Sequence, residues 1–264
     1  GGIYKQNHPL YNLGQAFRFS DNRWDNIVSW GLQDYVDIAL VPGSPENFYV
    51  ASWGHGIAEY QNRSITHKYN VNNQDVHSLQ SIYPDKPYVR ISGLDFDKEG
   101  NLWVGNSNVD HLLSVKKTDG TWKGLDIKKS IGIKSTGKLL VTEDGYKWML
   151  LNFGEGIVAF DEGNMEDAED DRLKKFAVSD PNETFTSEVY AISEDKEGQI
   201  WVGTNKGVFV YYNPQNVFDE EGFYASHILI PRNDGSGLAD RLLQEEEVTC
   251  IEIDGANRKW FGTK

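Results

Sequence analysis

The stretch Asp95-Phe-Asp97-Lys-Glu99-Gly100 sets three carboxylates at alternate positions ahead of a glycine, the way a calcium-binding loop begins. The twelfth position of such a loop carries a bidentate glutamate. Here it is Asn106, and Trp103 stands inside the span. The segment therefore reads as a tight turn between two strands, with no metal bound. The histidines His8, His55, His67, His77, His111 and His227 form no H-x-H or HExxH pair, so zinc is not expected either. Neither a Gly-x-Ser-x-Gly elbow nor a Gly-Lys-Ser/Thr phosphate loop is present. Glycosidase carboxylate pairs depend on spatial separation, which 40 acidic residues leave open. These residues lead us to expect a protein that binds without catalysis and without a cofactor.

The acidic turn is one copy of a repeated phrase. Ile91 to Gly105 recurs as Val189 to Thr204 and again as Val248 to Thr263, with a shorter copy at Leu139 to Met149. A degraded copy, Val36 to Ser52, has Tyr49 in place of the tryptophan. Three residues before the tryptophan stand Gly100, Gly145, Gly198 and Asn257, the types that reach positive φ cheaply in a tight turn. Two residues after the aromatic stand Gly105, Gly203, Gly262 and Ala51, whose small size would let a neighbouring sheet approach. Leu150 departs from this pattern. The repeated tryptophans are thus expected to be packing residues.

The aromatic positions lie 54, 45, 53 and 59 residues apart, counted from Tyr49 through Trp103, Trp148 and Trp201 to Trp260. A period near 50 built of short strands indicates an all-β β-propeller with four-stranded blades. In the second unit the strands are expected at 91–97, 101–106, 112–117 and 121–127. The count is five blades, in one domain over 1–264. The N-terminal strands would complete the C-terminal blade and close the ring, removing free sheet edges. The alternative is a fragment of a larger propeller. Either way the chain reads as one segment of a longer multidomain parent. Residues 161–171 read as a solvated acidic loop or short helix, and residues 239–245 as a helical turn.

In a propeller, loops from second to third strands open on the same face as the connections between blades. The first group brings Trp53, His55, Asn106, Asn108, His111, Phe153, Glu155, Asn205 and Lys206, and the second Tyr83 and Arg90. Aromatic faces mixed with amides, imidazoles and charges suit a glycan or a peptide, so the expected partner is a glycan or a protein.

A net charge of −14 disfavours a phosphate-binding surface, so no nucleic-acid partner is expected. Cys250 is the single cysteine, which excludes an internal disulfide, and its strand pattern predicts burial. No apolar run approaches the roughly 18 residues of a membrane span, so the chain is not expected to insert in a bilayer. It opens Gly1-Gly2 without Met and reads as a trimmed or mature segment, so a missing leader carries no information.

The unit best seen in Ala191–Tyr211, apolar-x-apolar-x-x-Asp-x-x-Gly-x-apolar-Trp-Val-Gly-Thr, resembles the two-component regulator propeller repeat. That resemblance implies an extracytoplasmic sensor of a hybrid histidine kinase recognising a polysaccharide fragment. Ile228 to Gly235, followed by Val248 to Gly262, is similar to PorZ-like proteins. This second resemblance implies a surface propeller of type IX secretion that delivers anionic lipopolysaccharide to a sortase. Neither family carries catalytic residues to transfer. Our expectation is a non-catalytic PorZ-like binding module in the periplasm or on the outer-membrane surface, with the kinase sensor as first alternative and a glycan-active enzyme as second. Sialidase-type Asp boxes share the Gly-x-x-Trp spacing, but Leu102 and Ile200 stand where threonine is required.

Overall fold

The computed structural model describes residues 3–4, 8–72, 78–127, 131–181, 188–219 and 222–264. The chain divides into two compact units, Gly1–Val141 and Thr142–Lys264, and both are built almost entirely of strands and turns.

In the first unit, short strands β1 (Ile3–Tyr4) and β2 (His8–Pro9) pair antiparallel. Strands β3 (Leu13–Ser20) and β4 (Arg23–Gln33) form a hairpin through Asp21 and Asn22, both at positive φ, as a type I′ turn requires. Next come β5 (Tyr35–Val41), β6 (Ser44–Gly54), β7 (Gly56–Gln61) and β8 (Ser64–Tyr69), paired in that order. A second four-stranded set follows: β9 (Val89–Phe96), β10 (Leu102–Asn106), β11 (Leu113–Lys116) and β12 (Trp122–Leu125). Its strands fall within two residues of those expected. The two sets meet where Trp53 and Gly54 pair with Arg90 and Val89. Strand β13 (Thr136–Val141) packs on β9 so closely that a Cβ on Gly93 would lie 2.3 Å from the Leu139 nitrogen.

In the second unit, β14 (Lys147–Leu151), β15 (Gly156–Asp161) and β16 (Arg172–Phe176) pair in sequence. Strands β17 (Val189–Glu194), β18 (Ile200–Thr204), β19 (Gly207–Tyr211) and β20 (Ser226–His227) make a full four-stranded sheet. The hairpin β21 (Leu229–Pro231) and β22 (Ala239–Arg241) precedes the pair β23 (Val248–Ile253) and β24 (Lys259–Thr263). Gly203 is one of the expected points of close approach: a Cβ there would stand 2.6 Å from the Val248 carbonyl.

One turn recurs and explains the repeat. Asp97 Oδ2 accepts the Trp103 indole N–H at 2.8 Å, and Oδ1 accepts the Asn101 N–H at 2.8 Å. Gly100, at φ +85°, returns its N–H to the Asp97 carbonyl. Asp195 holds Trp201 at 2.9 Å and Asp254 holds Trp260 at 3.0 Å in the same way. The third copy has Thr142 where the others have aspartate, and the buried Trp148 indole N–H finds no hydrogen-bond partner among the described residues. Asp95, the other carboxylate of the calcium-like phrase, accepts the Phe96 N–H and the Val141 N–H of β13, while Asp37 on β5 accepts the Leu94 N–H of β9. These carboxylates tie successive sheets together.

The I′ turn directs β4 back onto β3. Two expectations are corrected. Residues 239–241 are strand, because the Asn233–Gly237 turn and the Arg232–Asp240 ion pair (2.6 Å) close a hairpin. Cys250 is exposed, since the β23–β24 register puts it on the face opposite Ile251 and Phe261. The acidic 161–171 segment is largely exposed, as expected of a loop, and His77 lies outside the described residues.

Two outcomes follow from the turn and from the carboxylates that tie the sheets. Asp97→Ala leaves a buried indole N–H unsatisfied and should cost about 2–4 kcal/mol by chemical denaturation. Asp254→Ala, in the exposed copy, should shift the midpoint less; equal shifts would contradict the role of burial. Burial pushes the Asp95 carboxyl up to about 6, from 3.8, against the two N–H bonds that favour its charge. A raised carboxyl pKa contributes stability that is full below the unfolded value and fades as pH rises through the folded one. The melting temperature of the wild type relative to Asp95→Asn should accordingly fall between about pH 4 and 6.

Candidate ligand-binding site

The β6–β9 pairing sets Trp53 opposite Arg90. The Arg90 guanidinium lies 5.2 Å from the Trp53 ring centre and 5.6 Å from that of Tyr88, within cation–π range of both. Its Nη1 donates to Asn108 Oδ1 at 3.0 Å. Asn108 holds a positive φ of 66° and donates its N–H to the Lys134 carbonyl at 2.6 Å. Tyr83, 47% exposed, packs edge-on against Tyr88 with ring centres 5.8 Å apart, and the Lys86 ammonium sits 5.9 Å from the Tyr83 ring centre. Trp53, Tyr83, Arg90 and Asn108 thus belong to one continuous set of contacts, with Tyr88 as the link.

The backbone around them is pinned by side chains. Gln80 Oε1 accepts the N–H groups of Asp110 and His111, each at 2.9 Å, and the Gln80 N–H donates to Asn106 Oδ1 at 2.7 Å. Asn106 Nδ2 donates to the Arg90 carbonyl at 3.0 Å. Asn106 is fully buried, so its amide braces the site from beneath and does not face a ligand. Ser81 Oγ accepts the N–H groups of Tyr83 (3.1 Å) and Tyr88 (3.0 Å), which shapes the Tyr83–Lys86 turn. Beside this frame opens a cleft of about 720 Å³, bordered by Gln80, Tyr83, Asp85, Lys86, Asn108 and Lys134. A phenol edge, two ammonium groups, a carboxylate and amides around one opening can stack on a sugar or peptide group and exchange hydrogen bonds with it.

His111 and His55 flank this core. A Cβ on Gly124 would stand 2.7 Å from His111 Nδ1, so the glycine makes room for the imidazole, whose Nδ1 is buried with no hydrogen-bond partner among the described residues. His55 is half-buried, with Nδ1 3.4 Å from Ser52 Oγ. Burial lowers its pKa, and the buried Asp34 carboxylate opposes that shift only in part. Asp34 itself accepts the Tyr11 and Asn12 N–H groups at 2.9 Å each.

The remaining candidates lie in the second unit. Phe153 is exposed at φ +64°, and the Glu155 carboxylate is paired with Lys175 at 2.8 Å. Asn205 exchanges hydrogen bonds with Glu188, accepting the Glu188 N–H at 3.0 Å and donating its own N–H to the Glu188 carbonyl at 3.1 Å. Lys206 is exposed, with its N–H on Thr204 Oγ1 at 2.9 Å. Asn205 and Lys206 share one turn, and a Cβ on Gly154, between Phe153 and Glu155, would lie 3.8 Å from Glu188.

Trp53 is as buried as Trp103 and lies under Arg90 without lining the cleft, so substituting it should destabilise the region. Tyr88, Gln80 and Lys134 are the residues that sequence reasoning missed. Tyr88 was within reach, because strand alternation puts it on the same face as Arg90. Lys134 arrives from the segment before β13 and has no local signal.

Comparison with known proteins fits this architecture. Residues 185–206 match the family model described as Two component regulator propeller. The whole chain superposes on PorZ, an essential bacterial surface component of the type-IX secretion system of Porphyromonas gingivalis, with a TM-score of 0.83 at 23% identity. The fold is a β-propeller, and the match to that repeat is confined to residues 185–206. The propeller spans only 37% of the PorZ chain. It also resembles the extracellular domain of the putative hybrid two component system BT3049 from B. thetaiotaomicron (TM-score 0.59, 19% identity, 96% of this chain and 30% of that one). A gluconolactonase from Xanthomonas campestris superposes with a TM-score of 0.58 at 14% identity, over 96% of this chain and 76% of that one. Among curated proteins none matches the sequence. Among the described residues, no helix of the propeller is long and apolar enough to cross a membrane.

The lowered pKa of His55 has a readable consequence. Its imidazole should titrate below 6.5 by NMR, leaving it neutral at pH 7. The stability it contributes is then present above the unfolded value and lost as pH falls through the folded one. A midpoint at or above 6.5 would contradict the burial argument.

Proposed function

We propose that this propeller is a non-catalytic, extracytoplasmic binding module of the PorZ-like surface-component kind, and that the first unit's loop cluster takes its ligand, a glycan or a peptide of a protein partner. The observation that carries this reading is the Arg90 cluster. The guanidinium is held over Trp53 and Tyr88 and bonded to Asn108. Asn108 and Tyr83, which packs on Tyr88, border an open cleft whose backbone is fixed by Gln80 and Asn106. Such preorganisation is what a binding site needs and what a merely solvated loop lacks. The whole-chain likeness to PorZ supports the surface role, and the periplasm or the outer surface is the compartment we assign.

A second reading, the ligand-sensing propeller of a hybrid two-component system, is favoured by the repeat at residues 185–206 and the likeness to BT3049. Both readings share the binding site and differ in what the parent protein does with the signal.

A glycan array paired with a hydrolysis and lactonase screen tests the proposal. Binding without turnover is expected. Tyr83→Ala should weaken that binding on the order of tenfold, the worth of one aromatic contact, with the melting temperature unchanged. Turnover of any glycan or lactone, or a Tyr83→Ala variant that binds normally, would count against the reading.

A further inference from the structure

Residues other than glycine enter positive φ at a cost, and in this chain most of those that do so are asparagine or aspartate. Tyr11 is different. It holds φ +58° with a bulky side chain, and that side chain is 67% exposed. A ring so exposed contributes little burial against the strain. The loop is held all the same, by a buried carboxylate. Asp34, itself at φ +50°, accepts the Tyr11 N–H on Oδ2 and the Asn12 N–H on Oδ1, each at 2.9 Å. Its own N–H returns to the Asn12 carbonyl at 2.9 Å, and Gln33 Nε2 donates to the Tyr11 carbonyl at 3.3 Å. A loop braced in this way presents its side chain from a fixed place.

That place adjoins the Arg90 cluster. The Asp34 carbonyl accepts the Trp53 N–H at 2.9 Å, and Ser52 Oγ donates to the Gln33 carbonyl at 2.6 Å. The segment that grips Tyr11 is thus fastened to the end of β6. Tyr88 rests on the same end, since a Cβ on Gly54 would stand 2.8 Å from its ring. Burial pushes the Tyr88 hydroxyl pKa up, Arg90 opposes the rise, and the neighbouring Tyr11 phenol adds to it. From the cleft side Tyr83 touches Tyr88, with ring centres 5.8 Å apart. Three tyrosines therefore run from the cleft across the Arg90 cluster, and the outer two, Tyr83 and Tyr11, are the exposed ones.

We propose that Tyr11 is a second subsite of the candidate ligand site, stacking on a further ring of a glycan chain whose first ring sits at Tyr83. The inference rests on the loop cluster being the ligand site, and it makes that site a reader of a chain of sugars. Phenol faces at two separate points suit two sugar rings, and the Asn12 and Asn108 amides offer hydrogen bonds to the hydroxyls. The strain at Tyr11 then has a use: it aims a ring outward that a relaxed backbone would lay elsewhere.

Calorimetry with the monosaccharide, disaccharide and tetrasaccharide of each homopolymer bound on a glycan array tests this with Tyr11→Gly, Tyr11→Phe and Tyr83→Ala. Wild-type affinity should rise from disaccharide to tetrasaccharide. Tyr11→Gly should remove that rise, a loss of about tenfold, and leave the disaccharide unchanged. Tyr11→Phe keeps the ring and should keep the rise, whereas Tyr83→Ala should weaken every length. Glycine relieves the positive φ, so Tyr11→Gly should melt no lower than the wild type; a lower melting temperature would make Tyr11 a structural residue and overturn the proposal. Tyr11→Gly binding that equals the wild type at every length, or falls equally at every length, also overturns it. If Tyr83→Ala still weakens binding in that case, the candidate site itself stands. A wild type that binds peptides and no glycan overturns the subsite alone, and one that binds neither overturns both.

Discussion

The structure depends on one hydrogen bond made three times: an aspartate carboxylate accepting the indole N–H of the tryptophan six residues later. An indole buried without a partner carries a desolvation cost of the order of 1–3 kcal/mol, and the carboxylate removes it while capping the N–H groups of its own turn. Both ends of the hairpin are thereby fixed, and the tryptophan face is aimed at the neighbouring strand. The third copy shows what happens without the carboxylate. Thr142 still makes the turn, but Trp148 relies on aromatic packing against Phe176, Tyr211 and Phe223.

A frame built this way leaves its loops chemically unconstrained. The strand pairing that brings Trp53 to Arg90 belongs to the frame, whereas Tyr83, Tyr88 and Asn108 belong to connections that differ from copy to copy. In the function proposed above, recognition concentrates where the copies disagree. Asn106 marks the boundary, because it ends a repeat strand and spends its amide on Gln80 and Arg90.

The repeat was legible because each of its positions has a local cause. Gly100 and Gly198 need positive φ, Asp97 and Asp195 need to reach their tryptophans, and Gly203 needs to admit a neighbour. What was not legible depends on covering by residues distant in sequence. Trp53 looked like an exposed loop aromatic, yet it is buried as deeply as Trp103 by strands that begin dozens of residues later. Cys250 looked buried by its alternation, but nothing local says which face of β23–β24 is covered. Of the site residues, Arg90, Asn108 and Tyr83 come together with Trp53, while Asn106 turns inward to support them.

The central claim is that the repeat builds and the divergent loops bind. An amide and indole NMR titration with a glycan selected from the array tests it directly. Shifts should concentrate in residues 80–90 and 106–111, with the Trp103 indole resonance unmoved. Perturbation of the Trp103 and Trp201 indoles with silent loops would contradict the account.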